Sequence, residues 1–210
     1  MEVEVWSDLV CPWCFLGDHN LRAAIGQLTD PTGVRVVHRA FQLHPEAPTV
    51  GPRLVDVIAE EEDITVEQAA DAVSDVADDA AAVGLHYRMS EIVTGNTLDT
   101  HRSILWAADQ GRGEELKGLI FSAYFEQARP IFTAEQLAPL MRRAGCDPLS
   151  GERMLASADY REQVIEDERR ARQLGAPGVP FFVFGNGRRL FGAQSPVALS
   201  AALADSSAAR

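Results

Sequence analysis

Two cysteines near the start of the sequence are the residues best suited to carry chemistry. Cys11 and Cys14 are separated only by Pro12 and Trp13. Two thiols at this spacing on the first turn of a helix can form a disulfide and exchange it with other thiols. In that arrangement Cys11 is the attacking sulfur. Cys14, about one turn further along the helix, resolves the mixed disulfide by attacking it.

The flanking sequence predicts the elements that would position these thiols. Residues 2–7 are a strand-like apolar run, and residues 15–28 have a helical pattern. The cysteines therefore fall at a helix N-terminus, where unpaired backbone N–H groups and the positive end of the helix dipole favour a thiolate. Pro12 suits the first turn because its missing N–H is not needed there. Asp8 is predicted to be a capping or loop carboxylate, and an effect of its charge on the neighbouring thiol is the alternative.

A zinc site and an inert pair of core cysteines are the alternatives to a redox-active pair. Zinc usually takes four ligands, but the one remaining cysteine is Cys146, and the histidines show no ligand spacing: His19, His38, His44, His86 and His101. A strand, a C-x-x-C and a helix in succession favour a redox-active dithiol without a metal. Cys146 follows Gly145 and is predicted to be a small apolar group, with a regulatory thiol as the alternative.

Composition limits the partners of the protein. The chain has 210 residues and a formal charge of −12, and Lys117 is its single lysine. An acidic surface disfavours nucleic acid and anionic membranes. No apolar run approaches the roughly 18 residues of a membrane span, and the N-terminus does not have the pattern of a signal peptide. We therefore expect a cytoplasmic location. Three cysteines in such a chain indicate a catalytic pair rather than a disulfide framework.

The order of elements predicts one α/β domain interrupted by helices. Residues 34–41 form a second strand, which completes a βαβ unit. A helical block follows, with capping boxes beginning at Thr65 and Thr133. Residues 179–184 and 188–191 flank an Asn-Gly turn and predict a hairpin; a last helix starts at Ser195. Because neither sheet-forming end can bury its faces alone, the two ends must meet.

These elements give the predicted domain boundaries. Residues 1–44 and 158–204 form a discontinuous α/β domain, residues 45–157 form an inserted helical domain, and residues 205–210 form a flexible tail. Dimerisation through the helical block is also open, because an apolar helix stripe facing a partner and one facing the core have the same pattern.

Several short segments together resemble a known family. The sequence is similar to thioredoxin folds of the DsbA-like class, and more closely to the FrnE-like branch, the relatives of 2-hydroxychromene-2-carboxylate isomerase. The matching segments run in order from residue 7 to residue 194: 7–14, 41–43, 96–97, 101–102, 123–125, 178–182 and 192–194. The resemblance implies a thioredoxin fold, βαβ…ββα, with a helical domain inserted in the middle.

The resemblance also implies further site residues. The Val179–Pro180 bond would be a cis peptide lying against the dithiol, and it would expose the Val179 backbone for pairing with a substrate peptide. Asn96 and His101 would face the active-site cleft, although a structural histidine is an equal alternative. Gln194 would line the cleft or stabilise its own turn. Trp13, between the cysteines, would be a flat platform for substrate.

The expected activity is that of a thiol–disulfide oxidoreductase or isomerase acting on protein or peptide substrates that carry thiols or disulfides. No bound cofactor is expected because the two sulfurs carry the electrons, and glutathione or a thioredoxin-type donor would recycle the pair. A glutathione-dependent isomerase or transferase of the 2-hydroxychromene-2-carboxylate isomerase type is the alternative. The presence of both cysteines argues against it, since relatives with that chemistry generally keep a serine or one sulfur at the position of Cys11. A redox-inert peptide-binding module is a third hypothesis.

Overall fold

A computed structural model describes residues 1–208. Its contacts divide the chain into two compact units. The first contains Met1–Phe41 and the residues from Gln163 onward, and the second is Gln42–Glu162. The sequence analysis places the corresponding boundaries at 44/45 and 157/158.

The first unit is built on a sheet, which has four strands among the described residues 1–208. The strands are β1 (Glu2–Ser7), β2 (Arg35–Ala40), β3 (Phe181–Phe184) and β4 (Arg189–Phe191). Their order is β2-β1-β3-β4. The pair β1 and β2 is parallel, whereas β3 is antiparallel to both β1 and β4. β1 therefore joins the N-terminal βαβ segment to the C-terminal hairpin, as the sequence analysis predicts.

One face of this sheet packs against α1 (Pro12–Gly26) and α9 (Pro196–Ala208). Alternate strand residues and the apolar sides of both helices form its core: Val3, Val5, Leu21, Ala24, Phe182, Phe184, Leu199, Ala202 and Leu203. Alternation along a strand sends the intervening side chains to the opposite face. That face meets α8 (Arg161–Gln173), since the indole N–H of Trp6 donates to the carbonyl of Asp167.

A group of paired charges lies on the α8 face. Glu4 is buried and accepts hydrogen bonds from the guanidinium groups of Arg39 and Arg170. Burial alone would raise the pKa of Glu4, but the hydrogen bonds from these two arginines hold it below its usual value. Arg170 also stacks over the Trp6 ring at 5.4 Å. A buried carboxylate in β1 is thus compensated by α8 and β2.

The second unit is helical. Its helices are α2 (Leu54–Glu61), α3 (Val66–Ala81), α4 (Leu98–Ala108), α5 (Gly113–Phe121), α6 (Ala134–Arg143) and α7 (Pro148–Ala156). Both predicted capping boxes are present, Thr65 with Gln68 and Thr133 with Gln136.

Some predicted boundaries are wrong. α1 starts at Pro12, which lies in the first turn as predicted, but it ends at Gly26 rather than at residue 28. Within the helical block, α5 is followed directly by a π-helix over Ser122–Glu126. Residues 205–208, predicted as flexible tail, continue α9, because preceding apolar residues of the helix are in the core; residues 209 and 210 lie outside the described residues.

Candidate active site

The two thiols of the C-x-x-C sequence lie at the start of α1. Cys11 is the N-cap residue, with extended backbone angles, and Pro12 follows at the first helical position. The Cys14 amide donates to the carbonyl of Cys11 over 3.0 Å, so the intervening residues form the first helical turn. Both thiols are free and buried, Cys11 at 4% exposure and Cys14 at 1%. Cys11 is therefore the more accessible sulfur and sits where the helix amides point outward.

Of the two roles predicted for Asp8, a capping or a loop carboxylate, the structure shows the loop carboxylate. No side chain makes a capping hydrogen bond to α1. The Asp8 carboxylate is completely buried and accepts instead from the Leu9 amide at 2.7 Å. The Asp8 carbonyl accepts from the Cys11 amide at 3.3 Å, and the N-cap position of α1 is occupied by Cys11.

The environment keeps the proton on Cys14. Burial first, then the hydrogen bond and charge of Cys11, and then the charge of Asp8 raise the pKa of the Cys14 thiol well above its usual value, while the Asp8 backbone amide opposes this in part. A sulfur that keeps its proton until a mixed disulfide has formed is suited to the second, resolving step of disulfide exchange.

The loop before β3 lies against the thiols. The Val179–Pro180 peptide bond is cis. The carbonyl oxygen of Val179 lies 3.8 Å from Cys11 Sγ. On the next turn of α1, Gly17 packs so closely that a Cβ atom there would lie 3.0 Å from Cγ of Pro180. The residues Cys11, Val179 and Pro180, predicted separately from distant segments, are thus brought together.

The turn after β4 is tied to both the proline loop and the dithiol helix. The Gly192 amide donates to the carbonyl of Pro180 over 2.8 Å. The Gln194 side chain donates to the carbonyl of Phe191 over 2.6 Å, which corresponds to the turn-stabilising alternative for this residue. The side chain of Asn20, buried in α1, donates to the Gln194 carbonyl over 3.0 Å.

Sequence reasoning missed Gly17 and Asn20. Gly17 could have been found, since an isolated glycine inside a helix usually has a packing reason. Asn20 gives no comparable signal because its partner is a backbone carbonyl 174 residues away in the sequence. Trp13, predicted as a platform, is 38% exposed, a large exposed fraction for an aromatic side chain next to two buried thiols.

Asn96 and His101 lie in the helical unit. The Asn96 side chain makes hydrogen bonds to nearby backbone groups. Its amide group donates to the Pro45 carbonyl over 2.7 Å, and its side-chain oxygen accepts from the Leu98 amide over 2.9 Å. His101, in the first half of α4, is completely buried. The contacts of Asn96 hold the loop at Pro45 to the start of α4, which is a structural task.

Across residues 1–208, no three His, Cys, Asp or Glu side chains are grouped so that they could hold a metal ion. Within the same residues, no helix has both the length and the apolar character needed to cross a bilayer. Cys146 is a buried free thiol in the helical unit.

Comparison with known protein families identifies the family to which this chain belongs. The family model described as a DSBA-like thioredoxin domain matches residues 2–204. The chain belongs to the DsbA-like thioredoxin family. This confirms the resemblance recorded from the short segments and the predicted thioredoxin fold with its α/β architecture. A search of curated proteins gave no match.

Solved structures agree with this membership. A probable DsbA oxidoreductase from Streptomyces coelicolor has 36% sequence identity and a TM-score of 0.92, covering 100% of this chain and 91% of its own. A 2-hydroxychromene-2-carboxylate isomerase shares the fold at 16% identity and a TM-score of 0.70, covering 98% and 95%. The cytosolic disulfide reductase DsbM from Pseudomonas aeruginosa shares it at 19% identity and a TM-score of 0.66, covering 100% of both chains. DsbM was also solved with GSH, where the TM-score is 0.62.

Proposed function

We propose that this DsbA-like protein is a cytoplasmic thiol–disulfide oxidoreductase that uses Cys11 and Cys14 as its dithiol. The observation that carries the proposal is the placement of two free thiols at the start of α1, with the Val179 carbonyl 3.8 Å from Cys11 Sγ. Neither sulfur needs a metal or an organic cofactor to take part in exchange. The substrates are proteins or small molecules that carry a thiol or a disulfide.

Reduction of a substrate disulfide proceeds in two exchanges. The Cys11 thiolate attacks one substrate sulfur, a mixed disulfide forms, and the other substrate sulfur leaves as a thiolate. Cys14 then loses its proton and attacks Cys11 Sγ, which releases the second substrate thiolate and leaves a Cys11–Cys14 disulfide. Two electrons pass from the enzyme to the substrate. Oxidation of a substrate dithiol is the same sequence in reverse.

Recycling of the oxidised pair needs an external thiol. Two molecules of glutathione, or one thioredoxin-type dithiol, can reduce the Cys11–Cys14 disulfide and become oxidised themselves. The neighbour DsbM, a cytosolic disulfide reductase solved with GSH, supports glutathione as the first thiol to test. The Pro12-Trp13 dipeptide between the cysteines lacks the histidine that stabilises a thiolate in strongly oxidising periplasmic relatives. We therefore propose reductase or isomerase work in the cytoplasm.

A redox titration tests the proposal directly. The purified protein is equilibrated across glutathione buffers, free thiols are alkylated, and the masses of the peptides are measured. We expect one two-electron transition confined to Cys11 and Cys14, with Cys146 alkylated at every ratio as an internal control. The Cys14→Ser variant should instead accumulate glutathione as a mixed disulfide on Cys11.

The isomerase alternative predicts a different result. If no Cys11–Cys14 disulfide forms at any glutathione ratio, and glutathione binds without reacting, the oxidoreductase proposal is wrong. A midpoint as oxidising as that of the periplasmic enzymes would leave the dithiol chemistry intact but would overturn the proposed reducing direction.

A further inference from the structure

One buried polar side chain of the dithiol helix has no part in the exchange just described. Asn20 lies in α1, about two and a half turns beyond Cys11, and it is only 6% exposed. Its side-chain amide group donates to the carbonyl of Gln194 over 3.0 Å. Its side-chain oxygen is also buried and has no hydrogen-bond partner among residues 1–208. The donation to Gln194 is therefore the contact for which the Asn20 side chain is oriented.

Asparagine is unfavourable at this position by two local criteria. Inside a helix it is a weaker helix former than alanine or leucine, because its side chain competes for backbone hydrogen bonds. A buried acceptor without a partner adds the cost of taking that oxygen out of water. Turning the amide group over would not remove this cost, since the oxygen would then face the Gln194 carbonyl, which is another acceptor. Because α1 needs neither feature in order to form, the hydrogen bond to Gln194 is what distinguishes Asn20 from an alanine or a leucine.

The hydrogen bond from Asn20 closes a ring of contacts that returns to the dithiol. It ties α1 to the turn after β4. Within that turn, the Gly192 amide donates to the Pro180 carbonyl over 2.8 Å. The residue before Pro180 is Val179, whose carbonyl oxygen lies 3.8 Å from Cys11 Sγ. The ring therefore runs from the dithiol helix through the turn and the proline loop, and back to the N-terminus of the same helix.

We propose that Asn20 is a positioning residue for the dithiol, and that its hydrogen bond to the turn after β4 holds the Val179 carbonyl at Cys11. The inference rests on the proposed function. The packing of Gly17 on Pro180 limits how closely α1 and the proline loop approach each other. A hydrogen bond instead opposes separation, because it weakens as its donor and acceptor move apart. Asn20 therefore supplies the restraint that keeps the loop from moving away from the thiols.

This role has two consequences for Cys11. With the loop in place Cys11 is only 4% exposed, so releasing the loop should make its sulfur more accessible to an alkylating reagent. A peptide disulfide contacts the backbone around Cys11 as well as its sulfur, so a displaced loop should slow its reaction. A small disulfide such as bis(2-hydroxyethyl) disulfide contacts little besides the sulfur, and its reaction should not slow. The expected defect is therefore selective for peptide disulfides.

Single-turnover reactions of the reduced, full-length protein test the inference. The protein itself supplies the two electrons, and formation of the Cys11–Cys14 disulfide is followed by alkylation and mass spectrometry, once with a peptide disulfide and once with bis(2-hydroxyethyl) disulfide. We expect Asn20→Ala and Asn20→Leu to lower the ratio of the two rate constants, peptide over small disulfide, about three- to tenfold, as for the loss of one hydrogen bond. In the reduced protein without substrate, iodoacetamide should modify Cys11 faster by a similar factor, with Cys146 unchanged.

Ala24→Gly is the matched control on the same helix. Ala24 is completely buried in the core that α1 shares with α9, and glycine there weakens the helix without removing the hydrogen bond to the turn. Its ratio of rate constants should equal that of the wild type. Both Asn20 variants improve helix propensity, so their urea midpoints should lie above that of Ala24→Gly although their ratios are lower.

Two outcomes would overturn the inference while leaving the proposed function in place. One is a ratio, or a rate of Cys11 alkylation, that stays at the wild-type value in both Asn20 variants. The other is an equal loss of the ratio in Ala24→Gly, which would make the effect one of helix stability. Failure of the proposed function is distinct from both, because the wild-type protein would then form no Cys11–Cys14 disulfide with either substrate.

Discussion

Two regions of this protein bury cysteines at opposite ends of helices. Cys11 is the N-cap of α1, with Cys14 one turn further along. Cys146 instead follows the end of α6, where Gly145 has a φ of +81° and the Cys146 amide donates to the Met141 carbonyl. The end of a helix presents carbonyl oxygens, which disfavour a thiolate, whereas its start presents N–H groups.

Burial acts on the thiol pKa in the same direction in both regions, but the groups around the two thiols differ. Burial raises the pKa of Cys14 and also that of Cys146, where the nearby charge of Arg112 opposes the rise. Cys14 has a second sulfur beside it, that of Cys11, whereas Cys146 belongs to the helical unit. The comparison indicates that a helix start and a partner sulfur, rather than burial, distinguish the proposed dithiol from a packed thiol.

The strongest test of this comparison is to remove one sulfur from each region. Cys11→Ser should reduce the turnover of a disulfide substrate to the uncatalysed rate, because an alcohol oxygen cannot form the mixed disulfide. Cys146→Ser should leave kcat/KM unchanged. Turnover of a peptide disulfide, with thiols counted by mass spectrometry, measures both. Activity that persists in Cys11→Ser would show that the dithiol is not the reactive site.

A second test concerns the close packing of α1 against the proline loop in the dithiol region. Gly17→Ala should destabilise the protein by about 1–3 kcal/mol, because the new methyl group meets Pro180 and Phe182 within a tight contact. It should also lower activity by shifting α1 against the proline loop. Urea denaturation and peptide turnover measure the two effects.

Gly26→Ala is the control on the same helix. A Cβ at Gly26 meets nothing within 4 Å, so the substitution should stabilise the protein by about 0.5–1 kcal/mol through helix propensity. Equal stabilities for the two alanine variants would show that α1 does not depend on its contact with Pro180.

The smallest expected effect concerns the ionisation of Cys146, measured in a Cys11→Ser/Cys14→Ser background. Since the pKa of Cys146 is raised by burial, its alkylation at pH 8 should be slower than that of a free cysteine and should accelerate about tenfold per pH unit until the pKa is reached. Arg112→Gln removes the positive charge that lowers this pKa, so it should slow alkylation further, by about two- to threefold. Arg143→Gln, on α6, is the control and should have no effect. A faster reaction in Arg112→Gln would contradict the assigned sign.

The local features of the fold were predictable because they depend on neighbouring residues. The strand before Cys11, the capping boxes at Thr65 and Thr133, and the hairpin at Asn186 each follow from a short segment. The π-helical turn at Ser122–Glu126 could not be predicted in this way, because the pattern of apolar residues there continues that of an ordinary helix. The capping role considered for Asp8 is not observed, because Cys11 occupies the N-cap position of α1.

By itself the sequence determined the candidate dithiol, the order of the elements and the family, because each is carried by residue types at fixed spacings. Only the tertiary structure decided which distant residues meet those thiols. The Val179 carbonyl at Cys11, Gly17 against Pro180, Asn20 on the Gln194 carbonyl and Phe191 against Gly178 are all contacts between segments far apart in the chain. Such contacts depend on the register of β3 between β1 and β4 and on the packing of α1 over the sheet, and no local pattern encodes these.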